Sequence, residues 1–304
     1  MKLIEPQASL ITEVNPFKKI ELAGRTCYKS EKNITEESAL KFFNVLAQNK
    51  HTAMMEHATF IFRVPKEVTI PIETESKYIN ITPYEDTYWI SGNLRAICED
   101  TSELGYLMQR TLNEEMPGIA YNLYENNKTP EIYAGPLLEI MNNEELFKTK
   151  DDNLIRKHYY TTMRFVCDRG VTHELVRHRP SSYGQESTRY VKYELNEDML
   201  FVEPSTWDIM PTEAQHIITE HFKRTEEDYR RLRELGLQAQ QARVILDTGI
   251  KTEIVVTTND EEWNHIFNLR YYGTTGKPHP DMQLLAGKAY PLYMQEKHKH
   301  IEEN

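Results

Sequence analysis

Cysteine is scarce in this chain. Three occur in 304 residues (Cys27, Cys98 and Cys167), and no two are close enough to form a CxxC pair. An odd number of widely separated cysteines excludes a disulfide framework and a cysteine-rich zinc site. The pattern indicates a reducing compartment.

Long apolar runs are missing as well. No stretch is long enough to span a bilayer. The first residues, MKLIEPQASL, have neither the basic start nor the apolar core of a signal peptide. We therefore expect a cytoplasmic protein that does not bind membranes.

Positive charge is in deficit. The chain has 36 Lys and Arg against 47 Asp and Glu, which gives a net charge of -11. A field of this sign repels nucleic acid and anionic membranes, so neither is expected as a partner. A local cluster of arginines in such a chain predicts a pocket for an anionic ligand.

Both helical and strand periodicities are present. Apolar residues alternate before Pro65 and around Met163, and TEIVVTT is a third strand signal. A helix is predicted from a Thr35 N-cap to about Gln48, and TEAQHIITEHFKRTEEDYRRLREL predicts an amphipathic helix that ends at Gly236. LQAQQARVIL predicts a further helix. The fold class is therefore α/β (α+β), with a mixed sheet flanked by helices.

Residues 65–158 are harder to interpret. YINITPYEDTYWISG predicts a hairpin, the residues from Leu94 onward predict a helix, and YENNKTPEIYAGP is typical of a loop. No pattern in this segment indicates chemistry. We interpret it as an insertion or subdomain.

The segment RHRPSSYGQESTRY, Arg177 to Tyr190, carries the densest positive charge. Pro180 disfavours a helical conformation at Arg179, so a helix over VTHELVRHR is expected to end there, with SSYGQES as irregular backbone. Guanidinium groups bind phosphate bidentately, and hydroxyls and loop amides complete such sites. A solvated helix end accounts for one or two of the arginines only. The segment therefore favours a phosphate or nucleotide site.

Other candidates have ordinary explanations. His51, Glu56 and His57 are metal-ligand types, but their spacing matches no standard cage, so a buried, hydrogen-bonded histidine is favoured and no metal is expected. Asn259 has capping-box spacing to Glu262, and a helix cap and a ligand contact are equally supported.

Arg177-His178-Arg179, seven residues and then Ser187 resemble the RHRx7S signature of the flavin-dependent thymidylate synthases. The segments GRTCY, HTAMMEH, DRGVTHELVRHR, ESTRY, ARVIL and NLR follow in that family's order. The resemblance covers roughly residues 20–64 and 160–290. It implies a single domain over 1–304 with an insertion at 65–158.

The resemblance implies a reaction and an assembly. Members of that family convert dUMP to dTMP with a one-carbon unit from 5,10-methylenetetrahydrofolate and a hydride from FAD reduced by NADPH. They share an α/β fold and form homotetramers with each site built from several subunits. Flavin and folate supply the difficult chemistry, so no Cys–His or Ser–His–Asp arrangement is needed, and neither Cys27 nor Cys167 is expected to be a nucleophile.

The resemblance also assigns site residues. Arg270 is implied as the catalytic residue that stabilises an ionised uracil, and Arg243 is implied to reach dUMP from another subunit. The implied dUMP residues are Glu174, Arg177, Gln185, Ser187, Thr188, Arg189, Arg243 and Arg270. The implied FAD residues are His51, Ala53, Arg177, His178, Arg179, Gln185, Asn259, Glu261 and His265.

Four of these positions depart from the pattern of some members of the family. Glu174 and Gln185 stand where some members have Gln and Glu respectively. Ala53 replaces Thr, and His265 replaces an amide. A non-catalytic protein that senses nucleotide or phosphate through the same arginines is the alternative, and flavin content distinguishes the two.

Overall fold

The computed structural model describes residues 1–120, 138–190, 193 and 197–302. The strands are β1 (Lys2–Ile4), β2 (Gln7–Ile11), β3 (Thr59–Pro65), β4 (Ile79–Tyr84), β5 (Thr87–Asn93), β6 (Glu139–Met141), β7 (Tyr160–Asp168), β8 (Ser182–Gln185), β9 (Leu200–Val202) and β10 (Lys251–Asn259). The helices are α1 (Pro16–Tyr28), α2 (Ser38–Gln48), α3 (Leu94–Glu99), α4 (Glu103–Glu115), α5 (Asn143–Lys148), α6 (Asp152–His158), α7 (Arg169–Leu175), α8 (Thr212–Glu234), α9 (Ala239–Ala242), α10 (Asp260–Phe267) and α11 (Pro280–Glu302).

The central sheet is antiparallel, in the order β2-β7-β10-β8. β7 and β10 pair along their whole length, from Asp168 opposite Lys251 to Tyr160 opposite Asn259. β10 is buried from residue 251 to residue 258, because both faces of the sheet are covered. Val255 packs in one core, whereas Ile254 and Val256 pack in another, as the two-residue period of a strand requires.

A second antiparallel sheet has the order β4-β5-β3-β6. The predicted hairpin is confirmed: β4 and β5 pair from Ile79 to Tyr84, and Glu85 takes a left-handed conformation in the turn. Ile90 and Leu94 are fully buried in the same core as Phe43. The segment 65–158 therefore shares its hydrophobic core with the rest of the chain.

Two predicted helices differ from the structure in their bounds. α2 begins at Ser38 and not after a Thr35 cap, because the Ser38 hydroxyl accepts from the Thr35 amide at 2.8 Å and donates to Glu21. The predicted helix LQAQQARVIL is reduced to α9, which is followed by a 3-10 turn at Arg243–Ile245. The loop YENNKTPEIYAGP lies outside the described residues.

The segment after β7 also differs. α7 ends at Leu175 and not at Arg179, because the Tyr183 hydroxyl lies within hydrogen-bond distance of the carbonyls of Leu175 (2.6 Å) and His178 (2.7 Å), shares its one proton between them and holds the intervening residues as a turn. SSYGQES is not irregular throughout, since β8 pairs with β10. Gly184 allows that pairing, because a Cβ there would lie 3.1 Å from His57 Nε2.

The α/β (α+β) class is confirmed, with several sheets flanked by helices. Parallel pairing occurs between β1 and β9, apart from the two antiparallel sheets. Within the described ranges, no helix has the length and apolar character needed to cross a membrane.

Candidate active site

Asn259 marks the point where β10 passes into α10. Its side-chain oxygen accepts from the Glu262 amide at 3.0 Å, and its side-chain nitrogen donates to the Lys157 carbonyl at 3.2 Å. Asn259 therefore caps α10, which is one of the two roles that its sequence position allowed. Both ends of the Asn259 amide group are used to fix the start of α10.

A hydrogen-bonded chain of four side chains runs from α10 to α7. His178 Nδ1 lies 3.0 Å from Glu262 Oε1, and the Arg270 Nε donates to His178 Nε2 at 3.2 Å. Arg270 Nη1 donates to Glu174 Oε2 at 2.8 Å. A guanidinium has no acceptor, so His178 accepts at Nε2 and carries its proton on Nδ1. His178 is thus a neutral imidazole that donates to Glu262.

Arg270 belongs to an unusual turn. Residues Asn268–Tyr272 form a single π-helical turn after α10, which Gly273 ends with a φ of 70°. Such turns are frequent at functional sites. The Arg270 side chain is 22 % exposed and the Glu174 side chain 26 %, and His279 Nδ1 lies 3.2 Å from the second Glu174 oxygen. The charge of Arg270 is therefore held by one half-buried carboxylate.

The predicted dUMP residues of β8 and its following turn have defined partners. Gln185 donates from its amide to Thr172 Oγ1 at 3.0 Å. The Ser187 hydroxyl accepts from the Arg189 amide at 3.3 Å, and the Ser187 amide donates to the Cys27 carbonyl at 3.0 Å. The hydroxyl and the exposed arginine are therefore carried on an ordered turn.

The other predicted arginines are placed differently. Arg177 and Arg179 are exposed on either side of buried His178, and Arg177 Nε donates to the His173 carbonyl at 3.2 Å. Arg243 is exposed in the turn after α9, and none of its described hydrogen bonds reaches the other predicted residues. Thr188 is half-buried. The structure thus gathers Arg270, Glu174 and His178, and leaves Arg243 apart.

Neither Cys27 nor Cys167 has the character of a nucleophile. Burial, with a smaller effect of Glu186, raises the pKa of the Cys27 thiol to about 11. Burial also raises the pKa of Cys167 well above its usual range. Both are thiols at neutral pH, and the Cys27 thiol donates to the Gln185 carbonyl at 2.9 Å.

A buried cluster of charges lies beneath β8. Lys251 pairs with Glu186 at 2.9 Å and with Glu253, which also pairs with Lys29 and Arg164. Burial alone would raise the pKa of Glu253, but the charge of Lys251 and the hydrogen bonds from Lys251 and Lys29 lower it to about 2. Because Glu186 lies between Gln185 and Ser187, these pairs fix the backbone that carries both.

The HTAMMEH segment gives a 3-10 helix over Thr52–His57. His57 is fully buried, its Nδ1 lies 2.8 Å from Thr257 Oγ1, and burial, with a smaller effect of Lys19, lowers its pKa to about 3. The interpretation as a buried, hydrogen-bonded histidine is confirmed. His51 and Ala53 are exposed at the start of the same turn.

Another group of metal-ligand types occurs in the site. His178, Glu262 and His265 have ligand atoms within 4.8 Å of one another, and the rings of His178 and His265 are 5.6 Å apart, edge to face. However, both His178 nitrogens are already used by Glu262 and Arg270, and the guanidinium places a positive charge beside them. The arrangement suits hydrogen bonding.

A cavity of about 350 Å³ lies beside this chain of side chains. Three predicted FAD residues line it: Arg179, Asn259 and Glu261. Sequence reasoning missed four further lining residues, because they lie in the segment 65–158 and no local pattern distinguishes them. Those residues are Lys77, Tyr78, Asn80 and Asn93.

Comparison with known proteins supports a family assignment. The family model described as thymidylate synthase complementing protein matches residues 9–70 and 142–296. Flavin-dependent thymidylate synthases from Pyrococcus furiosus (36 % identical over 115 residues) and Pyrococcus horikoshii (41 % over 118) each match 34 % of this chain and 43 % of their own length. The one from Geobacter sulfurreducens is 37 % identical over 103 residues, with the same coverage.

These matches thus span less than half the length of the curated relatives. Among solved structures, a UMP/dUMP methylase PolB from Streptomyces cacaoi bound with 5-Br dUMP aligns over 97 % of this chain and 93 % of its own, with 12 % identity and a TM-score of 0.43. The family model itself matches well over half of the chain. This chain therefore belongs to the thymidylate synthase complementing protein family.

Proposed function

We propose that this protein is a flavin-dependent thymidylate synthase that converts dUMP to dTMP. The one-carbon unit comes from 5,10-methylenetetrahydrofolate and the hydride from FAD reduced by NADPH. The observation that carries the proposal is the hydrogen-bonded chain linking Arg270 to His178 and Glu174, because it joins the RHR segment to the implied catalytic arginine. Family membership and the names of the relatives support the same activity.

Arg270 is the group that stabilises negative charge on the uracil ring. Its guanidinium has five N–H donors. Three are used by His178 Nε2, the Glu174 carboxylate and the Glu174 carbonyl. Two N–H groups are left for the carbonyls of the uracil ring, and the guanidinium plane is already fixed by its other hydrogen bonds. Such a permanently charged, oriented donor suits an anion that forms during the reaction.

The dUMP phosphate and sugar are bound by the turn after β8. Ser187, Thr188 and Arg189 present two hydroxyls and an exposed guanidinium, which is the donor set of a phosphate site. Arg177 and Gln185 complete it from this subunit. Arg243 belongs to the dUMP site of a neighbouring subunit in a homotetramer, which accounts for its separate position.

The cavity beside Asn259 fits part of FAD. Arg179 suits a phosphate, and the Glu261 carboxylate suits ribose hydroxyls. When bound, FAD supplies hydride transfer, while His51, Ala53, His178 and His265 orient it. Besides bordering FAD, His178 holds Arg270, because both of its ring nitrogens are hydrogen-bonded, one to Glu262 and the other to Arg270.

The remaining features follow from the same assignment. We propose a single domain over 1–304 that carries the inserted segment 65–158, because the family model leaves residues 71–141 unmatched. A cytoplasmic location fits three free cysteines.

One experiment tests the activity. The purified protein is titrated with FAD and then assayed for dTMP with dUMP, NADPH and 5,10-methylenetetrahydrofolate, each omitted in turn. We expect flavin absorbance to co-purify or reconstitute, and dTMP to form only in the complete mixture. Binding of dUMP without flavin binding or turnover would instead identify a nucleotide-sensing protein.

A further inference from the structure

The inserted segment forms one wall of the cavity assigned to FAD. Lys77 and Tyr78 directly precede β4, Asn80 lies within it, and Asn93 ends β5. All four belong to residues 71–141, which the family model leaves unmatched. Arg179, which also lines the cavity, belongs to a matched part. The cavity is therefore lined both by residues within the family match and by residues outside it.

The added wall is held firmly in place. Asn80 donates from its amide to the Tyr160 hydroxyl at 3.0 Å. Buried His158 bonds Ser91 Oγ at 2.7 Å and Thr82 Oγ1 at 2.9 Å, which ties both strands of the hairpin to the end of α6. These buried contacts define the position of the hairpin relative to β7.

The charges in this cavity favour an anionic ligand. The two carboxylates that line it are engaged, Glu261 with Arg156 at 3.5 Å and Glu262 with His178 at 3.0 Å. Within the described ranges, neither Lys77 nor Arg179 has a carboxylate at ion-pair distance, and the Lys77 ammonium lies 5.1 Å from the centre of the Tyr78 ring. Two cations that have no carboxylate partner among the described residues therefore line this cavity.

A second observation also points to a ligand. A smaller cavity of about 180 Å³ adjoins the first and shares Tyr78, Asn93 and Arg179 with it. Ser181 lines this smaller cavity with 8 % of its surface exposed. Because the two cavities share lining residues, together they can accept a ligand that is longer than either cavity alone.

We propose that Lys77 and Tyr78 of the inserted segment bind FAD. This proposal rests on the proposed function, since it adds two residues to the cavity assigned there. Lys77 acts with Arg179 on the phosphates, and Tyr78 presents its ring to a heterocycle of the ligand. The segment thus contributes to cofactor affinity and takes no part in the chemical steps.

The test is a titration with FAD of the full-length protein and its variants, followed by flavin fluorescence. Lys77→Ala is expected to weaken FAD binding about three- to tenfold, from the loss of one charge-assisted contact. Tyr78→Ala is expected to weaken it about tenfold, whereas Tyr78→Phe keeps the ring and binds as the wild type does. Lys77→Arg keeps the charge and is expected to stay within about twofold.

Lys66 provides a matched control. Its ammonium also lies over a tyrosine of the inserted segment, 5.9 Å from the Tyr88 ring centre, but neither residue lines the cavity. Lys66→Ala should leave FAD affinity unchanged. Equal FAD affinities for Lys77→Ala and Lys66→Ala would overturn the proposal. So would a Lys77→Ala variant that loses affinity for NADPH but not for FAD. Failure of the wild-type protein to bind FAD at all would instead refute the proposed function.

Discussion

The Nε of Arg270 donates a hydrogen bond to Nε2 of His178 at 3.2 Å, although 92 residues separate them in the sequence. Since His178 must then donate from Nδ1 to Glu262, the orientation of the guanidinium depends on α10 as well as on the turn after α7. The histidine of the RHR segment therefore acts on Arg270 directly.

Replacing Arg270 tests its proposed catalytic role. Loss of one donor to developing charge lowers a rate by about 10²- to 10³-fold, so Arg270→Ala should slow dTMP formation by that factor. NADPH oxidation through bound FAD should persist. Arg270→Lys should recover little, because an ammonium cannot bond His178 and Glu174 and also present two N–H groups.

Separate assays of NADPH oxidation and of dTMP formation test this prediction for Arg270. Arg231→Ala, at an exposed position on α8 where Arg231 pairs with Glu234, is the matched control and should retain full activity. A near-normal rate of dTMP formation by Arg270→Ala would make Arg270 a structural residue.

Ser187 is expected to contact dUMP without forming a covalent bond to it. Its hydroxyl accepts from the Arg189 amide, and no histidine in the described ranges is hydrogen-bonded to it as a base. Ser187→Ala should weaken dUMP binding by about 1–3 kcal/mol, measured by calorimetry, with turnover retained at saturating dUMP. Exposed Ser205→Ala serves as the control. Complete loss of turnover with FAD still bound would show that Ser187 is a reacting group.

The buried charge cluster should be sensitive to the loss of one partner. Lys251→Met leaves Glu186 and Glu253 buried with less compensation, which should lower the free energy of unfolding by about 3–5 kcal/mol. Lys148→Met removes an exposed pair with Glu144 and should change it by less than about 1 kcal/mol. Urea denaturation of both variants measures the two losses of unfolding free energy. Similar losses would show that the cluster is not a net source of stability.

The inserted segment should unfold together with the rest of the chain. Leu94 is fully buried in the core that also holds Ile20 and Phe43, so Leu94→Ala should lower the free energy of unfolding by about 2–5 kcal/mol. Leu235→Ala, at a position 61 % exposed, is the control and should have little effect. A separate, earlier transition in Leu94→Ala, with the remaining transition unchanged, would show instead that the segment folds independently.

Stability should decline in mild acid. Burial, with a smaller contribution from a neighbouring lysine, lowers the pKa of His57 and of His158 to about 3 from the ordinary value of 6.5. Both are neutral when folded but take up a proton when unfolded. The contribution of these two histidines to the free energy of unfolding is thus complete above pH 6.5. Below that pH it is lost progressively, by at most about 1.4 kcal/mol per pH unit for each histidine.

Urea denaturation across this pH range measures the decline. His158→Asn should have a shallower pH dependence than the wild type, because one of the two buried imidazoles is removed. Equal slopes for the two proteins would contradict the assignment for His158.

Local sequence patterns were sufficient for much of the architecture. The alternation in β3, the period of β7 and the capping residue Asn259 each arise from interactions within a few residues, so local sequence predicts them. Local sequence did not predict the bounds of α7. Pro180 indicated a limit, but the helix ends four residues earlier, where the Tyr183 hydroxyl lies within hydrogen-bond distance of two carbonyls.

The sequence by itself determined the family motif, the strands β3, β4, β5, β7 and β10, and most of the residues of the candidate site. Only the tertiary structure decided which of them meet: Arg270 with His178, and the hairpin of the inserted segment with the wall that contains Arg179. The physical reason is that these contacts join residues about 90 or more positions apart. They depend on how β4, β7 and β10 are packed, and no local periodicity records that packing.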